Sequence, residues 1–152
     1  MKSLYFTEEH ELFRQSVRQF VQKEIIPYGN QWEKEEKISR DLFLKLGEQG
    51  FLGINHDEAY GGSKADIFYT CAYLEEIAKS GYAGVCAAVS VHQYMATNHI
   101  AEAGSDELKE RFLRPSIEGK KVGAIAITEP FGGSDVQSMR TTARKEGDHY
   151  II

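Results

Sequence analysis

Cysteine is scarce: Cys71 and Cys86 are the only two in the chain. They lie in separate helical patterns with no C-x-x-C spacing, so neither a disulfide framework nor a zinc site is supported, and two buried reduced thiols are expected. No dense Lys/Arg stretch occurs and the net charge is −5, which argues against a nucleic-acid footprint. No apolar run approaches the roughly 20 residues needed to span a bilayer. The opening residues, Met1 to Glu11, are too polar for a secretory signal, so a soluble, intracellular protein is expected. Internal repeats, low-complexity tracts and flexible linkers are also missing. Proline occurs three times, at positions where each should interrupt an element: Pro27 and Pro115 in helical patterns, Pro130 after an apolar run.

What is present is enough for one globular core: 152 residues, 41% hydrophobic and 27% charged. Four helix starts can be read from caps: Thr7 before Glu8 and Glu9, Ser39 with Asp41, Asp66, and Ser105 before Asp106 and Glu107. The first helix carries Phe13, Val17, Phe20, Val21 and Ile25 on one stripe, with Arg14, Arg18, Gln22 and Lys23 off it, and should kink or end at Pro27. Trp32 lies in a charged run, Tyr28 to Lys37, expected to be a solvated helix face. Leu42, Phe43 and Leu46 give a short second helix its packing surface, ended by Gly47 and Gly50. Phe51 to Ser63 is loop-like. Ile67, Cys71, Leu74 and Ala78 recur at helical spacing and Gly81 closes that helix. Ala83 to Ala103, rich in small residues, should be a deeply buried helix. His92 and His99 share an i, i+7 face there, but no acid or cysteine stands at ligand spacing, so no metal site is assigned. Leu108, Phe112 and Leu113 mark a last helix up to Pro115. Helices give way to strands near Gly119.

The chain then reaches its most informative run, Ala124-Ile125-Ala126-Ile127-Thr128-Glu129-Pro130-Phe131-Gly132-Gly133-Ser134-Asp135. Val122 to Ile127 is short, apolar and uncharged, as a buried strand should be. Thr128 offers a hydroxyl at the strand end, and Ser134 adds another. Gly132 and Gly133 free the backbone for unusual dihedrals that could form an anion-binding nest. This suits a planar, acceptor-rich heterocycle with a phosphate at the glycines. The same residue types also build ordinary strand-ending turns. Thr141 to Arg144 and His149 to Ile152 are two more strand candidates, joined across Lys145 to Asp148 as a hairpin.

Thr128-Glu129-Pro130, two residues, then Gly133-Ser134-Asp135 after an apolar strand resembles the flavin-binding signature of acyl-CoA dehydrogenases. Phe131 departs from it, standing where the family usually has a small or polar residue. Gly123 to Pro130, with Glu9-His10-Glu11-Leu12-Phe13-Arg14 and Gln31-Trp32-Glu33-Lys34, looks most like the long-chain branch. The resemblance covers essentially the whole chain. It implies a mainly α fold: an all-helical N-terminal domain over residues 1–119, then the first strands of the middle β domain over 120–152, as a fragment of a longer enzyme. It further implies FAD as cofactor, held by Ile125, Ala126, Ile127, Thr128, Gly133 and Ser134, with Ser134 also near the acyl-CoA substrate. Family membership implies an electron-transferring flavoprotein as partner, a homotetramer, and a cytoplasmic location, or the mitochondrial matrix in a eukaryote. The family's catalytic glutamate lies beyond residue 152, so no catalytic residue is assigned. Glu129 is read as turn-forming. Weak or absent flavin binding and no independent activity are therefore expected of this chain. The alternatives are a non-catalytic helical or interaction module, and an acyl-CoA oxidase or flavin monooxygenase on the same fold.

Overall fold

The structure, a computed structural model, describes residues 4–152; Met1 to Ser3, part of the polar opening, lie outside the described residues. Helix α1 (Glu8–Phe20) runs through a π-helical stretch, Val21–Ile25, directly into α2 (Ile26–Glu35). Then come α3 (Arg40–Glu48), a 3-10 turn at Glu58–Tyr60, and α4 (Ile67–Ala78). Helix α5 (Ala83–Ser90) continues through a π stretch, Val91–Ala96, into α6 (Thr97–Ala103). Likewise α7 (Asp106–Leu108) passes through Lys109–Leu113 into α8 (Arg114–Ile117). A 3-10 turn at Val136–Ser138 and two short strands, β1 (Arg144–Glu146) and β2 (His149–Ile151), complete it. The fold is thus mainly helical with two strands at the end.

The expected caps all form: Thr7, Ser39, Asp66 and Ser105 each accept a backbone N–H with their side chains. Two of these caps are joined. The His10 Nδ1 accepts the Thr7 N–H at 3.0 Å, and its Nε2 donates to Asp66 at 3.1 Å, tying the starts of α1 and α4 together.

Neither Pro27 nor Pro115 ends its helix. Both sit at the start of a resumed α-helix just after a π stretch, where Ile26 and Arg114 donate five residues back, to Val21 and Lys109. A proline has no N–H for the i−4 carbonyl and its ring crowds that carbonyl; the wider turn supplies the extra room.

Val17, Ile25, Leu46, Leu52, Tyr73 and Ile77 are almost solvent-free and form the core between α1, α3, α4 and the Phe51–Ile54 loop, whose apolar side chains are buried too. The inner face of α4 is Tyr73, Glu76 and Ile77; Ile67 and Cys71 are exposed instead, contrary to the stripe expected from spacing. Helix α4 is apolar on two sides, and the side carrying Glu76 wins because cations of α1 meet it. Arg14, expected off the packing face, is accordingly buried, and with Arg18 and Lys79 it surrounds Glu76. Cys86 is half-buried, donating to the Ile77 carbonyl.

The stretch from Ala83 to Ala103 is buried on one stripe only, with Ala83, Gly84, Ala87 and Met95 outward. Its π turn adds a residue between His92 and His99 and so rotates them apart: His92 is fully buried and His99 exposed. No cluster of three metal-ligating side chains occurs among the described residues.

Val122 to Ile127, expected as a strand, belongs to no sheet among the described residues; a strand needs a partner, and none of these residues pairs with it. The terminal hairpin is tighter than expected. Lys145 and Glu146 are strand residues, paired with Tyr150 and His149, and only Gly147 and Asp148 turn. Gly147 takes φ 62 there, the conformation its position in a two-residue hairpin loop demands.

Candidate functional site

The segment from Lys120 to Ser134 is attached to the helices at its start and folded on itself at its end. Arg40 donates to the Lys120 carbonyl at 3.2 Å, and the Lys121 N–H donates to the Pro115 carbonyl at 3.0 Å. Gly119, at φ 73, lets this exit lie against α3: a β-carbon there would stand 1.9 Å from the Phe43 carbonyl oxygen. Val122 packs on the core. The Gly123 N–H then donates to His92 Nδ1 at 2.9 Å. A β-carbon on Gly123 would come within 3.0 Å of the Ala96 methyl, so a small residue is needed for this approach.

From Ala124 onward, side chains alternate: Ile125 and Ile127 are half-buried, while Ala124, Ala126 and Thr128 are exposed. Among the described residues, no backbone hydrogen bond engages Ala124 to Thr128. The run therefore presents a row of open N–H and C=O groups backed by two isoleucines, which is an edge able to receive hydrogen bonds from, and donate them to, a planar ring.

After Thr128 the chain reverses. Glu129 and Gly132 exchange backbone hydrogen bonds at 2.8 and 3.2 Å across Pro130-Phe131. The Glu129 carboxylate accepts the N–H groups of Arg140 at 2.8 Å and Thr141 at 3.0 Å. Hydrogen bonds from the Thr141 side chain and from these backbone groups hold its carboxyl below the usual range. Glu129 is thus a fixed acceptor closing the turn. The reversal brings Thr128 beside Gly133: a β-carbon on Gly133 would lie 3.8 Å from the Thr128 methyl and 4.0 Å from its hydroxyl. The Thr128 and Ser134 side chains and Gly133 are all exposed.

Neither Gly132 nor Gly133 takes a positive φ, so the nest anticipated from them is not formed. Gly132 sits close to the returning chain instead: a β-carbon would stand 2.3 Å from Ser138 Oγ, which would have to turn away, and 3.0 Å from the Asp135 carbonyl oxygen. Phe131 is 68% exposed and lies under the Arg140 guanidinium, 4.4 Å from ring centroid to carbon. This accommodates its bulk outside the turn.

The structure therefore places Gly133 beside Thr128 at the end of the Ile125 to Thr128 edge, with Ser134 exposed next in sequence, and the segment is held to the helices by His92, to which spacing alone assigned no role. Signals for its role exist only in three dimensions. His92 Nε2 donates to the Ser116 carbonyl at 3.2 Å while Nδ1 accepts from Gly123. Burial keeps this imidazole below the usual histidine range, and neighbouring His56 and Arg40 push the same way.

Residues 7–120 match the family described as acyl-CoA dehydrogenase, N-terminal domain. The long-chain specific acyl-CoA dehydrogenase, mitochondrial, of Rattus norvegicus is 44% identical over 147 residues, 97% of this chain and 34% of that protein. A crystal structure of an acyl-CoA dehydrogenase from Geobacillus kaustophilus superposes with a TM-score of 0.89 at 41% identity, covering 99% of this chain and 39% of the other. An acyl-CoA dehydrogenase from Bacillus anthracis, in complex with FAD, superposes at 0.87 with 28% identity, over 99% of this chain and 26% of the other. The chain spans about a third of the length of the curated relatives it matches.

Proposed function

Because the chain belongs to the acyl-CoA dehydrogenase family, we propose that it supplies the N-terminal helical domain, residues 1–119, and the opening of the flavin-binding β domain, residues 120–152, to an FAD-dependent oxidation of fatty acyl-CoA thioesters. The observation that carries this reading is the unpaired backbone edge of Ala124 to Thr128, with Thr128 beside Gly133. The donor set fits the group: alternating N–H and C=O groups suit the polar edge of a flavin ring, the isoleucines its apolar face, and the Thr128 hydroxyl a developing negative charge. On this reading Gly133 and Ser134 would hold the pyrophosphate, and Ser134 would also stand near the thioester's carrier. FAD, when bound, supplies the hydride acceptor.

What these residues do is bind, orient and shield. None removes the substrate's α proton. Glu129, the carboxylate nearest in sequence to Thr128, is committed to the amides of Arg140 and Thr141, and we place the base outside residues 1–152. Flavin binding by this chain is accordingly weak and its turnover nil. Transfer of electrons to an electron-transferring flavoprotein, homotetramer assembly and a cytoplasmic or mitochondrial-matrix location belong to the same reading.

A second reading, a non-catalytic helical module, is favoured by one observation: the principal hydrophobic core is assembled by residues 17–89, without the flavin strip. The two readings part in one assay. The purified protein is given FAD, then a fatty acyl-CoA with an artificial electron acceptor. Weak FAD binding that Thr128→Ala lessens, without turnover, supports the first reading. Turnover by the 152-residue chain overturns the placement of the base, and no flavin binding at all favours the module.

A further inference from the structure

We propose that His92 is a positioning residue for the flavin strip: a neutral imidazole, protonated on Nε2, that fixes the Gly123 amide and thereby the place at which Ile125 to Thr128 leave the helical core. The inference rests on the flavin reading above. Its geometry is independent of that reading.

An amide N–H only donates, so the 2.9 Å contact from Gly123 obliges Nδ1 to carry its lone pair. The proton then resides on Nε2, whose 3.2 Å contact is to a carbonyl oxygen, that of Ser116, which only accepts. One ring therefore ties the last helical turn, α8, to the segment that leaves it. The ring is held in turn. It is solvent-free, meets the Phe43 ring edge-on at 5.4 Å between centroids, and stands in the π stretch between α5 and α6. The π turn explains why a histidine can serve here, because the extra residue brings position 92 inward while Ala96 stays small beneath Gly123.

Its location on the strip matters most. Among the described residues, the Gly123 N–H is the last backbone group tied to the helices before the open stretch, and the next fixed backbone group is that of Glu129. The whole candidate flavin edge hangs between these two points. An uncertain Gly123 would leave Ile125 to Thr128 without a register toward a ring, and pre-organisation of such an edge is what binding energy depends on.

The test separates the two nitrogens. In His92→Asn, the side-chain oxygen takes the place of Nδ1 and keeps an acceptor for Gly123. In His92→Gln, the side-chain nitrogen takes the place of Nε2 and keeps the donor to Ser116. Gly123→Ala disturbs the same contact from the other side, through the Ala96 methyl. Amide hydrogen exchange and FAD-induced amide shifts are followed by NMR in the 152-residue protein, with amides of α1 and α4 as the control for folding. The expected result is that His92→Gln and Gly123→Ala speed exchange at the Gly123 amide and weaken FAD binding about fivefold or more, the factor one net hydrogen bond carries. His92→Asn stays near the unsubstituted protein. The 15N shifts of the ring should report the Nε2–H tautomer near neutral pH. FAD binding by the unsubstituted protein that is equally strong in His92→Gln and Gly123→Ala overturns the positioning role. So does the Nδ1–H tautomer. If the unsubstituted protein gives no FAD-induced shifts, the flavin reading fails, and the positioning role with it.

Discussion

Arg18 grips Glu76 through two parallel bonds, Nε to Oε2 at 2.9 Å and Nη2 to Oε1 at 3.0 Å. Lys79 reaches the same carboxylate at 2.6 Å and Arg14 at 3.3 Å, so three cations from α1 and the end of α4 converge on a side chain that is 1% exposed. Hydrogen bonding from Arg18, followed by Lys79 and Arg14, outweighs burial and brings the Glu76 carboxyl down to about 2 from its usual 4.5. A carboxyl held down in the folded state stabilises it above the unfolded value and loses that contribution as pH falls. The protein should therefore be destabilised between pH 4.5 and about 2, by on the order of 2 kcal/mol once the half-exposed Arg18 and Lys79 are discounted for screening. Urea unfolding across that range checks this. Glu76→Gln should cost about 2 kcal/mol at neutral pH and remove most of the acid-dependent loss.

His56 and His92 give a second, separate window. Both are pushed below the usual 6.5, burial being the first cause in each. A buried histidine that resists protonation contributes fully above 6.5 and opposes folding progressively as pH drops below it. The unfolding midpoint should fall on acidification from neutral pH before Glu76 begins to titrate. A midpoint that stays level until pH 4.5 would show that neither ring is held neutral.

Glycine substitutions separate space from conformation. Gly119→Ala places a β-carbon 1.9 Å from the Phe43 carbonyl at φ 73, whereas Gly50→Ala, at φ 72, meets nothing within 4 Å. Gly50→Ala should cost about 1 kcal/mol for left-handed strain, and Gly119→Ala about 3 kcal/mol or more, because backbone must move as well. Thermal unfolding of the two variants side by side is the check. Equal losses would mean that the α3 contact yields easily.

Glu129→Ala should free the Arg140 and Thr141 amides. Their exchange should accelerate about tenfold, each losing a charge-assisted bond, while amides of α1 and α4 stay unchanged. Unaltered exchange at these two amides would show that the Glu129–Gly132 turn is held by its backbone alone.

Much of this was legible in the residues. Thr7, Ser39, Asp66 and Ser105 marked helix starts because a short polar side chain before an apolar period has one favoured use. The Thr128 to Asp135 signature identified the candidate strip. Other features depend on partners distant in sequence. Arg14 looked solvent-facing until Glu75 and Glu76, some sixty residues later, made burial favourable. Pro27 and Pro115 looked like terminators because a π turn leaves no compositional mark. Val122 to Ile127 has a strand's composition, yet a strand exists only where another backbone pairs with it. His92 looked like an ordinary core histidine because its second partner is a backbone amide, which every residue but proline carries.

The most direct test of the central claim, that residues 125–128 with Gly133 and Ser134 form part of a flavin site, is an NMR titration of the 15N-labelled protein with FAD. Weak, saturable shifts concentrated at Ile125 to Thr128, Gly133 and Ser134 are expected. Shifts confined elsewhere, or none at all, would contradict it.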